Sequence, residues 1–476
     1  MRMSSTGADA SMVRSVCGWV FSLVAAVGAA HAQAPAASDA ALVEKGRQLA
    51  VAADCAACHT VPKSGAPFAG GYGIASPLGT IYSTNITPSQ THGIGSYTLE
   101  DFSRALRQGV RKDGAHLYPA MPYTAYTQIS DEDTAALYAY FMHGVKPVDQ
   151  SAPQTALPFP FNIRASMAVW NALYLKDQRF VPDDSKTPEW NRGAYLVNGL
   201  AHCATCHTPR NAMMAEDNSQ FLGGGSLGDW YAPNITSDAS NGIGGWSAAE
   251  LAQYLKTGHV AGKAQAAGPM AEAIEHSLQH LPDSDIQAIA TYLKQTPAVS
   301  GNETQPRYSY GAPGAKDEQT QRGLSDGVDA GWRVFSGSCA ACHQAQGDGT
   351  GNGEYPSLFH NTATGASRPD NLIATILHGV DRTVDGHASF MPAFGDTAAF
   401  TDRLSDQDIA DVSNYVLKQY GNPAVAKVTA ADVATVRAGG KPPFIAQMRP
   451  LIVPVIVIVV LAILAFALLR SRRKSA

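Results

Sequence analysis

Apolar residues recur at helical spacing in three pairs of segments. The first member of each pair begins beside a glycine and runs into a cysteine: KGRQLAVAADC (45–55), RGAYLVNGLAHC (192–203) and AGWRVFSGSC (330–339). The second member lies about 70–90 residues on: SDEDTAALYAYFM (130–142), PDSDIQAIATYLK (282–294) and SDQDIADVSNYVL (405–417). In the last of these, Ile409, Val412, Tyr415 and Val416 fall on one helical face. Ser130 with Asp133, and Ser405 with Asp408, set a capping oxygen and an acid at the helix start. Copies one and two share a further stretch, YSTNIT…HGIGSYTLEDFSRALRQG against YAPNIT…NGIGGWSAAELAQYLKTG. Copy three carries the glycine-rich GDGTGNGEYPSL (347–358) instead, which matches no nucleotide-binding fingerprint and reads as a turn. The pattern predicts an all-α chain of three tandem helical domains.

Two stretches fall outside the repeat. Residues 1–32 read as a secretory signal, with Arg2 and Arg14 before an apolar run and a small-residue cleavage site after Ala32. Residues 451–469 have no charge and are followed by RSRRK, the pattern of a C-terminal transmembrane helix with a cytoplasmic tail. The expected organisation is a signal peptide (1–32), domain 1 (33–148), a linker (149–187), domain 2 (188–297), a linker (298–326), domain 3 (327–422), a linker (423–450), the span (451–469) and the tail (470–476). It places the protein in the cell inner membrane, single-pass, with its domains on the periplasmic side. The first linker holds Phe159, Phe161, Met167, Trp170 and Tyr174, too apolar for a free tether, and reads as a packed helix.

The 476 residues are 45% hydrophobic, so the chain is globular. Net charge is −5; without the leader's two cations and one anion and the tail's four cations, 29 cations face 39 anions. That balance excludes nucleic acid as a partner and suits a basic or neutral protein.

Six of the seven cysteines stand in one motif written three times: CAACH at 55–59, CATCH at 203–207 and CAACH at 339–343. Two thiols one helical turn apart can add to the two vinyl groups of a porphyrin, and the adjoining histidine then reaches the iron. Zinc or a redox disulfide would use CxxC but has no need of histidine next to it every time. The expected cofactors are three covalently bound haem c groups, attached at Cys55 and Cys58, Cys203 and Cys206, and Cys339 and Cys342. His59, His207 and His343 are the first iron ligands. A methionine beside or near proline follows each motif at similar separation, so Met121, Met270 and Met391 are the expected second ligands. His116, His259, His276, His280, His378 and His387 are rivals by position, as are Met213 and Met214 for the second iron.

The segments GTIYSTNITP, HGIGSYTLEDFSRALRQGVRKDG, LYPAMPY, LPFPFNIRASMAVWNALYL, RGAYLVNGLAHCATCHTPRN and LSDQDIADVSNYV carry a family likeness over most of residues 40–420. The chain resembles the three-haem cytochrome c subunits of bacterial membrane-bound dehydrogenases, of the quinoprotein alcohol dehydrogenase and gluconate 2-dehydrogenase kind. The resemblance implies three class I cytochrome c domains and the same Cys, His and Met ligands. It also implies a non-catalytic subunit that takes electrons from a catalytic dehydrogenase subunit bearing flavin, PQQ or molybdenum. Those electrons would pass to ubiquinone or another acceptor. The other classes open at this point are a self-contained multihaem enzyme and a carrier feeding a terminal oxidase.

Overall fold

A computed structural model describes residues 37–76, 78–314, 320–324, 326–351 and 353–451, with Pro454, Val457, Ile458, Leu461, Ala462 and Ala465. The signal sequence expected at 1–32 lies outside the described residues.

Each repeat is built on one helix pair. Helix Ala37–Ala52 packs against Asp131–Ala139, Pro188–Tyr195 against Asp283–Leu293, and Ala330–Ser338 against Asp406–Tyr420. The crossing is glycine-specific: Gly46, Gly193 and Gly331 each face backbone of the partner helix. The later helix begins on the serine cap that the sequence indicated in two copies, with Ser130 accepting from Asp133 N–H and Ser405 from Asp408 N–H. Ile409, Val412, Tyr415 and Val416 are all buried, and burial of such side chains stabilises by about 1.5–3 kcal/mol each. A third helix covers each core: Leu99–Gln108, Ala248–Thr257 and Asp370–His378. The first two carry full capping boxes, Thr98 with Asp101 and Ser247 with Glu250.

Two expectations are corrected here. The chain is not all-α: among the described residues four two-stranded antiparallel sheets accompany the helices, Gly73–Ser76 with Gly79–Tyr82, Gly225–Leu227 with Trp230–Ala232, His259–Val260 with Ala264–Gln265, and Val380–Val384 with His387–Met391. The last is a tight hairpin turned by Asp385 and Gly386, both at positive φ (48° and 78°), the backbone that an Asp-Gly pair favours. Nor, among the described residues, is any helix long and apolar enough to cross a membrane. The span expected at 451–469 falls largely outside the described residues, and the single-pass inner-membrane placement built on it is withdrawn.

The repeats are fastened to one another. Tyr195 Oη donates to Asp133 across the first junction at 2.6 Å, and Asp133 also pairs with Lys45. At the second junction Asn371 exchanges hydrogen bonds with the backbone of Tyr231, and the buried Arg382 donates to Ala266 O at 2.8 Å. In the first linker, helix Ser166–Tyr174 buries Trp170 against Tyr123 and donates its indole N–H to Met213 O at 2.9 Å. Its Val169 and Leu173 stay exposed.

Candidate haem sites

Each CxxCH motif occupies a single helical turn: Cys55–His59, Ala204–His207 and Ala340–His343. The turn sets both thiols and the imidazole on the inner side of the repeat. None of these six cysteines is joined to another in a disulfide. Burial pushes the thiols of Cys55, Cys58, Cys203 and Cys339 up to about 12 and raises Cys206 as well.

One backbone carbonyl orients each histidine. His59 Nδ1 lies 2.6 Å from Thr84 O, His207 Nδ1 2.7 Å from Pro233 O, and His343 Nδ1 3.0 Å from Pro356 O. A carbonyl only accepts, so Nδ1 carries the proton and Nε2 keeps its lone pair for a metal. The carbonyls come from matching loops. In copies one and two an asparagine just after the carbonyl, Asn85 or Asn234, ties the loop by accepting from Thr87 or Thr236 N–H and Oγ1. In copy three the glycine-rich loop does this work, with Gly349 N–H bonded to His343 O. Burial lowers the basicity of all three imidazoles, His207 to about 4, where the nearby Arg307 cation contributes too.

The second and third sites open into one continuous cavity of about 770 Å³. Its lining includes Cys203, Cys206, His207 and Met270 from the second repeat and Cys339, Cys342, His343 and Met391 from the third. Met270 stands in helix Gly268–His276, and Met391 ends the hairpin strand His387–Met391 rather than a loop. Of the rival histidines, none contributes to this lining, nor do Met213 and Met214. His378 is engaged instead with Asp229 at 2.6 Å, and His387 is exposed. At the first site Cys55 and Met121 pack against the same core, and Met121 also packs against the cluster of Tyr123, Trp170 and Ala215.

Two residues of the site were missed. Asp54, held in the left-handed region at φ 51°, and His202, at φ 37°, immediately precede the first and second motifs and border the shared cavity. Burial drives the Asp54 carboxyl up and His202 down. The only sequence signal was their position next to a cysteine. Cys58 and Cys206 lie within electrostatic reach of each other, so the first and second motifs adjoin.

These residues fit haem. Among the described residues no three His, Cys, Asp or Glu side chains converge to hold a bare metal ion, which turns the motif away from zinc. Paired thiols, an imidazole with a free Nε2 and an apolar cavity define a c-type cytochrome.

The Cytochrome c family profile matches residues 43–144, 191–297 and 328–419. The chain is 52% identical over 416 residues to the fructose dehydrogenase cytochrome subunit of Gluconobacter japonicus, spanning 86% of this chain and 85% of that protein. It is 43% identical over 425 residues to the gluconate 2-dehydrogenase cytochrome c subunit of Pantoea cypripedii, spanning 83% and 90%. It is 40% identical over 425 residues to the cytochrome c subunit of the quinone alcohol dehydrogenase of Gluconobacter oxydans, spanning 87% and 85%. The chain belongs to the cytochrome c family, among the cytochrome subunits of dehydrogenases, and carries three covalently bound haem c groups.

Proposed function

We propose that this chain is the electron-transfer subunit of a membrane-bound dehydrogenase that oxidises an alcohol, a sugar, a sugar acid or an aldehyde. It takes electrons from a separate catalytic subunit and hands them to ubiquinone or another respiratory acceptor. The proposed attachment sites are Cys55 and Cys58, Cys203 and Cys206, and Cys339 and Cys342. The proposed iron ligands are His59 with Met121, His207 with Met270, and His343 with Met391.

The observation that carries this reading is the continuity of the sites. Two complete Cys, Cys, His and Met sets line one cavity, and the first motif borders it through Asp54. Haem, when bound, supplies a one-electron couple. The protein's part is positional. Backbone carbonyls hold the imidazole tautomers, methionine sulfurs raise the potential relative to a second histidine, and apolar walls keep water away from the irons. A methionine available to each iron leaves little need for an open coordination position, which counts against a self-contained haem enzyme.

The test compares the purified subunit with its reconstituted complex, using fructose, gluconate and ethanol as substrates. Haem reduction by substrate is expected only with the catalytic partner, and quinone reduction only with intact haems. Substrate-dependent reduction of the lone subunit would overturn the proposal.

A further inference from the structure

Strand Trp230–Ala232 belongs to the second repeat, yet Asp229, Trp230 and Tyr231 are all held by the third. His378 Nε2 lies 2.6 Å from Asp229 Oδ2, and the His378 ring faces that of Trp230 at 6.1 Å, tilted by 37°. Asn371 Nδ2 donates to Tyr231 O at 2.9 Å, and Asn371 Oδ1 accepts from Tyr231 N–H at 2.9 Å. Asn371 and His378 stand two turns apart on helix Asp370–His378, so both fall on one side of it. Just before that helix, the Arg368 guanidinium lies 4.0 Å over the Tyr231 ring.

This strand reaches both candidate ligands of the second iron. Along the chain it runs directly into Pro233, whose carbonyl orients His207 at 2.7 Å. Across the fold, the Trp230 indole lies against Gly268. A β-carbon there would stand 2.5 Å from Trp230 Cε2 and 2.7 Å from Cδ2 and Cζ2. Gly268, at φ 53°, opens helix Gly268–His276 and stands two residues before Met270. Only glycine admits both that backbone and that contact. Trp230 and Met270 both line the shared cavity, and Trp230 also packs against the core of the third repeat. One side chain therefore touches the start of the Met270 helix and the His378 ring, on a strand that leads to the carbonyl behind His207.

The internal repeat marks the same position. YSTNIT of copy one aligns with YAPNIT of copy two, so Ile81 stands where Trp230 does. In copy one the matching Tyr82 N–H donates to Thr155 Oγ1 of the first linker at 2.9 Å, in place of an asparagine from another repeat. Copy two thus carries an indole in place of an aliphatic side chain on the strand that meets its neighbour. Iron ligands keep their orientation only as well as the groups behind them do. We propose that Trp230 is a positioning residue for both iron ligands of the second haem, seated by helix Asp370–His378 of the third repeat. The proposal rests on attachment of that haem at Cys203 and Cys206 with His207 and Met270 at the iron. Methionine ligation raises the potential of a haem, so a loosened Met270 lowers it, and the third repeat helps to set the potential of the second haem.

The test reads the methionine-to-iron charge-transfer band and the three midpoint potentials of the full chain, with haem-to-protein stoichiometry measured in parallel. Met270→Leu and Met391→Leu mark which potential belongs to the second haem and which to the third. Trp230→Ala is expected to keep three haems, to lose most of the band intensity that Met270→Leu removes and to lower the same potential. Trp230→Phe, which keeps a flat ring for Gly268, should restore part of both. Asn371→Ala, although it lies in the third repeat, should lower the potential of the second haem and leave that of the third in place. An unchanged band and unchanged potentials in Trp230→Ala at full haem content would overturn the proposal. So would equal shifts of all three potentials, the mark of a generally loosened fold, or an Asn371→Ala that moves only the third. If Trp230→Ala does not accumulate, Trp230→Phe and Asn371→Ala decide, and a second-haem potential at the wild-type value in both overturns the proposal. An unaltered band in Met270→Leu would instead sink the ligand assignment, and the proposal with it.

Discussion

Gly193 lies so close to Ala288 that a β-carbon on it would stand 1.9 Å from the Ala288 carbonyl oxygen. The same approach recurs between Gly46 and Ala136 at 1.9 Å, and between Gly331 and Asp411 at 2.3 Å. Backbone cannot yield as a flexible side chain can, so an added methyl forces the helices apart, and overpacking of this kind costs about 1–3 kcal/mol. Gly193→Ala and Gly331→Ala should each lower the thermal midpoint. Gly337→Ala, on the same helix as Gly331 but with nothing within 4 Å, should leave it level or slightly higher. Calorimetry of the three variants checks this; equal midpoints in Gly331→Ala and Gly337→Ala would contradict it.

Met270 and Met391 line the shared cavity, and Met121 packs against the same core as Cys55. Replacing each in turn with leucine should abolish the methionine-to-iron charge-transfer band of one haem and lower one potential, while keeping all three haems. An unchanged band in Met270→Leu would return attention to the histidines close to it in sequence.

The thioether assignment is read most directly by mass. Cys203→Ala with Cys206→Ala should give a chain lighter by one haem, with the other two attached. Denaturing mass spectrometry checks it, and a chain that still carried three haems would exclude these cysteines as the attachment point.

Glu250 closes the capping box on Ser247 N–H and pairs with Lys263 at 2.6 Å. The Lys263 bond is the main cause holding its carboxyl below the ordinary 4.5. Bonds from Asn241, Ser240 and Ser300 likewise hold Asp238 below 3.8. A depressed folded-state value means the native state binds fewer protons than the unfolded chain. The stabilisation is therefore complete above the ordinary values and is lost as pH falls through the depressed ones. Glu250→Gln should lower stability near neutral pH and flatten its decline below about pH 4.5. Urea unfolding at several pH values measures both effects.

Local chemistry was legible in the chain and long-range chemistry was not. The serine caps at 130 and 405 and the buried face of Ile409, Val412, Tyr415 and Val416 could be read because neighbours in sequence are neighbours on a helix. The Asp385-Gly386 turn was also readable, since that dipeptide is a hairpin signal, but the helical repeat around it drew the whole chain into one class. Three features depend on contacts across the fold and leave no local trace. One is the carbonyl partners of the histidines, 25, 26 and 13 residues away. The others are the cavity shared by two repeats and the surface, Tyr123 and Ala215, on which the first linker's apolar helix lays Trp170.

Arg382 stands on the hairpin of the third repeat, yet its guanidinium sits in the second, on Ala266 O at 2.8 Å and Gly258 O at 3.4 Å, with Ser389 Oγ steadying it. The chain is therefore a poor subject for dissection. Cutting at 298–326 to obtain a one-haem piece for an electrode would pull that cation from its seat, strip Ala266 O of its donor and divide a cavity that both halves wall. Genetic rearrangement meets the same obstacle. A repeat copied elsewhere, or swapped for a relative's, brings its own helix pair but not the neighbour that completes it, so these three units must be inherited, expressed and redesigned as one piece.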